Sequence, residues 1–219
     1  MTAIEGFVLA GGQSRRMGSN KGQLKLGGLT LVERAANVLA RNAEPVSIVG
    51  HSPSDYRSNL IIIEDASVGA GRRGSVVGLY TALLNAKSEW AAILACDLPL
   101  VGSELFTIMV SFCREKHDGL NETIDAILPR QPDGRIQPLC GLYKAQTCIP
   151  HVKEMLSSDN WRLQDLVRRL NTHILEFSAY EDLEGSDNYF LNVNTPEDFR
   201  IAVEHETKRS QQWKRKQLF

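Results

Sequence analysis

The chain has 219 residues, of which 42% are apolar, and its 25 Lys and Arg against 26 Asp and Glu give a formal net charge of −1. That length fits one domain with a sizeable core, and the composition excludes wholesale disorder. The near-neutral charge removes global basicity as a reason to invoke nucleic acid, and no apolar run approaches the roughly 20 residues that span a bilayer.

The first residues carry no basic leader, and the apolar run 7–10 passes straight into Gly11-Gly12. This reads as a buried strand feeding a glycine loop, not as a signal peptide. Residues 30–43 repeat apolar side chains at helical spacing through Leu31, Val32, Ala35, Ala36, Val38 and Leu39. Short strands are predicted at 46–49 and at 60–63, the latter closed by Glu64-Asp65. A helix follows at 76–86, then a strand at 90–95 that ends in Cys96-Asp97. This alternation predicts an α/β fold, a parallel sheet with helices on both faces.

The second half is less regular. A helix is predicted at 105–112, strands at 126–128 and 139–143 around the turn signal Pro132-Asp133-Gly134, helices at 151–156 and 163–170, and a strand at 174–177. Thr195, Pro196 and Asp198 form an N-cap, a first-turn proline and a capping-box acid, so the last helix starts there. One domain is expected over 1–205, with a basic tail over 206–219. That tail reads as a solvated helix end, with Trp213, Leu218 and Phe219 as its apolar residues.

Cys96, Cys113, Cys140 and Cys148 contain no C-x-x-C pair, and the histidines form neither H-x-H nor H-E-x-x-H. Neither a zinc site nor a disulfide framework is expected, and scattered single thiols fit the reducing cytoplasm.

The loop after the first strand is the most informative segment. Gly11, Gly12 and Gly18 let backbone approach a ligand closely, and their N–H groups can cradle phosphate oxygens. Arg15, Arg16 and Lys21 bring positive charge to the same loop, as a triphosphate requires. Neither the P-loop pattern G-x-x-x-x-G-K-[ST] nor the dinucleotide pattern G-x-G-x-x-G is present. Asp65 and Asp97 each follow an apolar strand and would project over the same sheet edge. Pro99 turns the chain out of the sheet beside Asp97, the better candidate for a Mg²⁺ ligand. Asp65 suits a ribose or base contact, or a metal-bound water. Residues 69–78 read either as a flexible loop capped by Ser75 or as a lid or base-recognition loop.

These motifs together resemble the molybdenum cofactor guanylyltransferase family. The carriers are L-A-G-G-x-S-x-R-M-G-x-x-K-G from Leu9 to Gly22, Glu64-Asp65, the Gly74-to-Gly78 spacing, Cys96-Asp97-Leu98-Pro99 and Asn192-Val193-Asn194-Thr195-Pro196-Glu197-Asp198. The resemblance runs from Gly6 to about Phe199. It implies a Rossmann-like three-layer fold of the nucleotide-diphospho-sugar transferase type with a mostly parallel sheet. It also implies transfer of GMP from GTP to the phosphate of molybdopterin, with pyrophosphate released. The implied nucleotide site comprises Leu9, Ala10, Gly11, Gly12, Lys21, Asp65 and Asp97, with Asp97 binding Mg²⁺ and Asn192 and Asn194 on the pterin side. Gly11-Gly12 matches the guanine-selective form of the loop, whereas related cytidylyltransferases carry L-A-A-G. Gly74-Ser-Val-Val-Gly78 departs from the family's G-P-L-A-G. Lys21, Asp97 and Arg16 are the expected catalytic residues, Arg16 as an added phosphate contact. Transient contacts with cofactor-insertion proteins or molybdoenzymes are the macromolecular partnerships this implies. The rival readings are a nucleotidyltransferase using CTP or a sugar phosphate, and a non-catalytic GTP-binding delivery protein.

Overall fold

The computed structural model describes residues 3–11, 21–50, 60–68, 73–114 and 124–216. Gly12, Arg15, Arg16, Gly18, residues 69–72 and the terminal 217–219 lie outside the described residues.

Apolar runs buried on both faces form the middle of the sheet. Strand β1 (Ile4–Leu9) is buried along its whole length. A 3₁₀ turn (Lys21–Gln23) leads into a two-stranded hairpin, β2 (Lys25–Leu26) and β3 (Leu29–Thr30). Then come α1 (Leu31–Leu39), β4 (Val46–Gly50), β5 (Ile61–Glu64), α2 (Ser75–Asn85) and β6 (Trp90–Ala95). The second half adds α3 (Ser103–Arg114), β7 (Ala126–Pro129), β8 (Cys140–Lys144), α4 (Ala145–Ser157), α5 (Leu163–Arg169), β9 (Thr172–Leu175) and α6 (Pro196–Lys216).

The main sheet has seven strands in the order β5-β4-β1-β6-β8-β7-β9. All run parallel except β8, which is antiparallel to both β6 and β7. The register pairs Leu9 with Val49 on one side of β1 and with Ala95 on the other. Side chains alternate across the sheet with period two. Val8, Ile48 and Leu94 pack against α1 and α3, through Leu31, Leu39, Phe106 and Met109. Phe7, Leu9, Val49 and Ile93 pack against α2, α4 and α5, through Val76, Leu83, Met155 and Leu166. Each such fully buried side chain contributes about 1.5–3 kcal/mol of hydrophobic stabilisation. This is the three-layer α/β architecture expected from the sequence.

Several boundaries differ from the sequence reading. Helix α1 ends at Leu39 and the chain goes on as a turn, with Ala43 N donating to Leu39 O and Glu44 N to Ile4 O, both at 2.9 Å. Helix α2 has Gly74 at its N-cap with φ 147°, and Ser75 is the first helical residue, making no side-chain cap. Helix α4 starts six residues before the predicted 151, with Pro150 inside it. Strand β9 spans 172–175, and Phe177 belongs to a 3₁₀ turn. The hairpin β2–β3 was not anticipated. Its turn residues Gly27 and Gly28 have φ 62° and 88°, a left-handed pair that favours glycine at both positions. Helix α6 passes position 205 without a break, and Glu206 on it is paired with Arg34. Among the described residues no helix is long and apolar enough to cross a membrane.

Thr30 illustrates how local chemistry fixes an element. Its Oγ1 accepts from Glu33 N at 3.1 Å while its own N–H donates to Glu33 Oε2 at 2.7 Å, a complete capping box. The Thr30 N–H holds the Glu33 carboxyl below the usual glutamate range. That contribution is therefore present above the usual range and is lost as pH falls through the lowered folded-state value. Thr30→Ala is expected to lower stability by about 1 kcal/mol, read as a lower urea midpoint with an unchanged slope.

Candidate active site

In an open parallel sheet the carboxyl ends of neighbouring strands diverge where strand order reverses, and a crevice opens there. Here that point lies between β1 and β6. Ala10 N donates to Val49 O at 2.8 Å and Cys96 N to Leu9 O at 3.1 Å, so the two exits start level. Gly11 lies against the Asp65 carboxylate at the neighbouring rim, and a Cβ there would stand 3.1 Å from Asp65 Oδ2. Gly78 on α2 approaches both Leu9 and Asp65 from the other side, within 4.0 Å of a notional Cβ. Glycines at 11 and 78 thus make room for one carboxylate at the mouth.

The second cluster forms on β6. Leu98 N donates to Ala95 O at 3.2 Å, turning the chain so that Asp97 caps the strand end. Lys21 Nζ donates to Asp97 Oδ2 at 2.9 Å and to Asn194 Oδ1 at 2.8 Å. Lys21 reaches this point from the 3₁₀ turn before the hairpin, and Asn194 from the segment before α6. Val193 N donates to the Asp97 carbonyl at 2.9 Å and fixes that segment to the strand end. Asn194 N and Thr195 N both donate to Asp198 Oδ2, at 2.9 and 2.8 Å. The Asn194 backbone N–H chiefly holds the Asp198 carboxyl below the usual aspartate range, with a smaller contribution from the Lys21 charge. One ammonium therefore meets a carboxylate, an amide oxygen and the field of a second carboxylate.

Lys21 and Asp97 keep 13% and 26% of their side-chain surface, so the pair is sheltered but open to a ligand. Cys96 beside it is not a nucleophile, because burial and then the Asp97 charge push its thiol up to about 12. Among the described residues no group of three His, Cys, Asp or Glu could hold a metal ion. A resident metal cage is thus not built from them. The Asp97 carboxylate fits a Mg²⁺ that takes one protein oxygen and draws the rest from substrate phosphates and water.

The structure thus brings Lys21, Asp97 and Asn194 into contact and sets Leu9, Ala10, Gly11 and Asp65 at the adjoining strand ends. Asn192 is exposed, two residues before Asn194 on the same segment. Gly12 and Arg16 fall outside the described residues. Sequence reasoning missed that Asn194 reaches Lys21, although Asn194 lies 173 positions away and only the fold joins them.

A family model described as MobA-like NTP transferase domain matches residues 6–174. A probable molybdenum cofactor guanylyltransferase of Geobacillus sp. is 32% identical over 209 residues, covering 93% of this chain and 100% of the relative. The chain belongs to the molybdenum cofactor guanylyltransferase family. A second probable guanylyltransferase, from Natranaerobius thermophilus, is 31% identical over 91% of this chain and 94% of its own. As a member of this family the protein is a nucleotidyltransferase. Among solved structures, the molybdopterin-guanine dinucleotide biosynthesis protein A of Archaeoglobus fulgidus superposes with a TM-score of 0.75 at 21% identity, over 93% of this chain and 99% of that one. The 2-C-methyl-D-erythritol 4-phosphate cytidylyltransferase of Thermus thermophilus follows the same path with a TM-score of 0.66 at 14% identity, over 94% of this chain and 99% of that one. At those identities the two likenesses establish the fold. They are the nucleotide-diphospho-sugar transferase type of α/β sheet seen here.

Proposed function

We propose that this guanylyltransferase-family chain transfers GMP from GTP to the terminal phosphate of molybdopterin. A phosphate oxygen of molybdopterin forms a bond to the α-phosphorus of GTP, and the bond from that phosphorus to the bridging oxygen breaks, so pyrophosphate leaves with the electron pair. The nucleophile is already an anion near neutral pH, so the site needs no general base. The convergence of Lys21 on Asp97 and Asn194 at the strand-order reversal is the observation that carries the reading.

The residues contribute position and charge, which dominate in such displacements. Gly11, exposed at the mouth, is proposed to offer its backbone N–H to a phosphate oxygen, and Lys21 its ammonium to the triphosphate. Asp97 is the residue that would hold Mg²⁺, and the ion when bound neutralises charge on the transferred and leaving phosphates. Asp65, between Gly11 and Gly78, suits the ribose or base end. Arg16 is proposed as an added phosphate contact, and Asn192 as a contact on the acceptor side. We assign the reaction to the cytoplasm, in keeping with the thiols of Cys96, Cys140 and Cys148, none of which is in a disulfide.

Incubating the protein with molybdopterin and each nucleoside triphosphate, with detection of pyrophosphate and of product mass, tests this reading. Release of pyrophosphate with GTP alone, together with a guanine dinucleotide product, is the expected result. Turnover with CTP instead would overturn the base assignment, and GTP binding without pyrophosphate would overturn the transferase reading for this chain.

A further inference from the structure

Arg34 lies on α1, outside every motif, yet its guanidinium reaches three chain segments at once. Nε donates to the Pro99 carbonyl at 3.2 Å and Nη1 to the Leu26 carbonyl at 3.2 Å. Nη1 also donates to Glu206 Oε1 at 3.2 Å, and Nη2 to Glu206 Oε2 at 2.9 Å. The two side chains are sheltered, at 13% and 17% exposure.

The identity of the three segments gives these bonds their meaning. Pro99 follows Asp97 by two residues. Leu26 ends β2, the strand entered directly from the turn that carries Lys21. Glu206 lies on α6, whose first turn holds the Asn194 backbone through Asp198. One planar group therefore ties together the carriers of all three side chains that converge at the site. Helix α1 does not need these bonds to dock, because Leu31, Val32, Ala35 and Leu39 already bury its inner face. The hairpin is fitted to the pair as well. A Cβ on Gly27 would stand 3.1 Å from Glu206 Oε1 and 3.2 Å from Arg34 Nη1, at a φ of 62°.

We propose that Arg34 is a positioning residue of the active site, setting Asp97 against Lys21 and Asn194 so that the binding of Mg²⁺ and of GTP is coupled. The inference deepens the guanylyltransferase reading and rests on it. A lysine at 34 keeps the charge but gathers its three donors on one nitrogen in place of a flat fork, and it cannot serve two carbonyls and a bidentate carboxylate together.

The test is calorimetric titration of GTP into full-length wild type, Arg34→Lys and Glu206→Gln, with and without Mg²⁺, well below the unfolding midpoint of each. In Arg34→Lys the metal-free affinity is expected to stay within about threefold, while the gain conferred by Mg²⁺ falls roughly 10–100-fold, as for residues that orient metal ligands. Glu206→Gln keeps shape and one acceptor, so a smaller loss of the same sign is expected, and it carries the test if Arg34→Lys does not fold. A wild-type gain from Mg²⁺ in both variants would overturn the proposal. So would an equal loss with and without the metal, which would make Arg34 a support of the fold or of the Lys21 contact and not of the coupling. A wild type that itself gains nothing from Mg²⁺ would overturn the metal reading and this inference with it, a failure visible before any substitution is compared.

Discussion

Asp97→Ala is expected to cut guanylyl transfer by about a hundred- to a thousandfold while leaving the fold intact. The substitution removes the carboxylate that would hold the cation on the transferring phosphates, and electrostatic terms of this kind are typically worth about a hundred- to a thousandfold each. It also leaves Lys21 with Asn194 as its remaining partner at the rim. The fold should survive because the Asp97 carbonyl, not its side chain, accepts from Val193 N and anchors the segment before α6. The ion pair is 26% exposed on the Asp97 side, so its loss should lower the melting temperature by only about 2–4 °C, the equivalent of about 1 kcal/mol in a chain of this size. Initial rates of pyrophosphate release, with a thermal melt on the same sample, measure both quantities. Turnover near the wild-type rate would remove Asp97 from the reaction. Asp97→Asn sharpens the comparison, since it keeps an oxygen for Lys21 and loses the charge.

Lys21→Ala should act on binding first. A charge-assisted hydrogen bond contributes roughly 1.5–3 kcal/mol, so the half-saturating GTP concentration is expected to rise about 10–150-fold. Part of that loss arises because Asp97 and Asp198 then present negative charge to an incoming triphosphate with no ammonium between them. Lys21→Arg is not a rescue. Lys21 Nζ serves Asp97 at 2.9 Å and Asn194 at 2.8 Å from a single nitrogen, whereas a guanidinium spreads its donors in a plane. Direct titration of GTP provides the check, and an unchanged curve would show that the lysine serves only the resting arrangement.

What the sequence made legible follows from burial. Strands β1, β4 and β6 are covered on both faces, so they read as largely apolar runs, broken only by Glu5 in β1 and Ser47 in β4, and the predicted limits of β6 are the observed ones. Edge strand β5 is half-exposed, yet its apolar run, closed by Glu64-Asp65, still marks it in the sequence. Pro150 hid the first turns of α4, because a proline inside an apolar pattern normally marks a helix boundary. The reversal of β8 left no trace in the sequence, since a strand packed on both faces has the same composition in either direction. In the site, Lys21 and Asp97 were readable because glycines and a proline surround them. Arg34 was not, because an arginine on an amphipathic helix has the pattern of a solvated face. Its partners at Pro99 and Glu206 lie 65 and 172 positions away. A G-G pair between Leu26 and Leu29 was the one available hint that a hairpin lay there.

The single reversed strand has a consequence for how the mouth is assembled. Beside β1 and β6 the rim consists of chain leaving the sheet, but β8 enters at that rim, with Leu139 O accepting from Ala95 N at 2.9 Å. The opening therefore has two walls of opposite construction, one made of exits and one of an entrance. The stretch between Pro129 and Cys140 that forms the second wall is tied at its base, where Gln137 N donates to the Pro129 carbonyl and Tyr180 OH to the Arg130 carbonyl, so the part open to change is its exposed tip at 132–135. It can lengthen or shorten over generations without shifting the β1 and β6 exits, so the two walls are open to separate evolutionary tailoring.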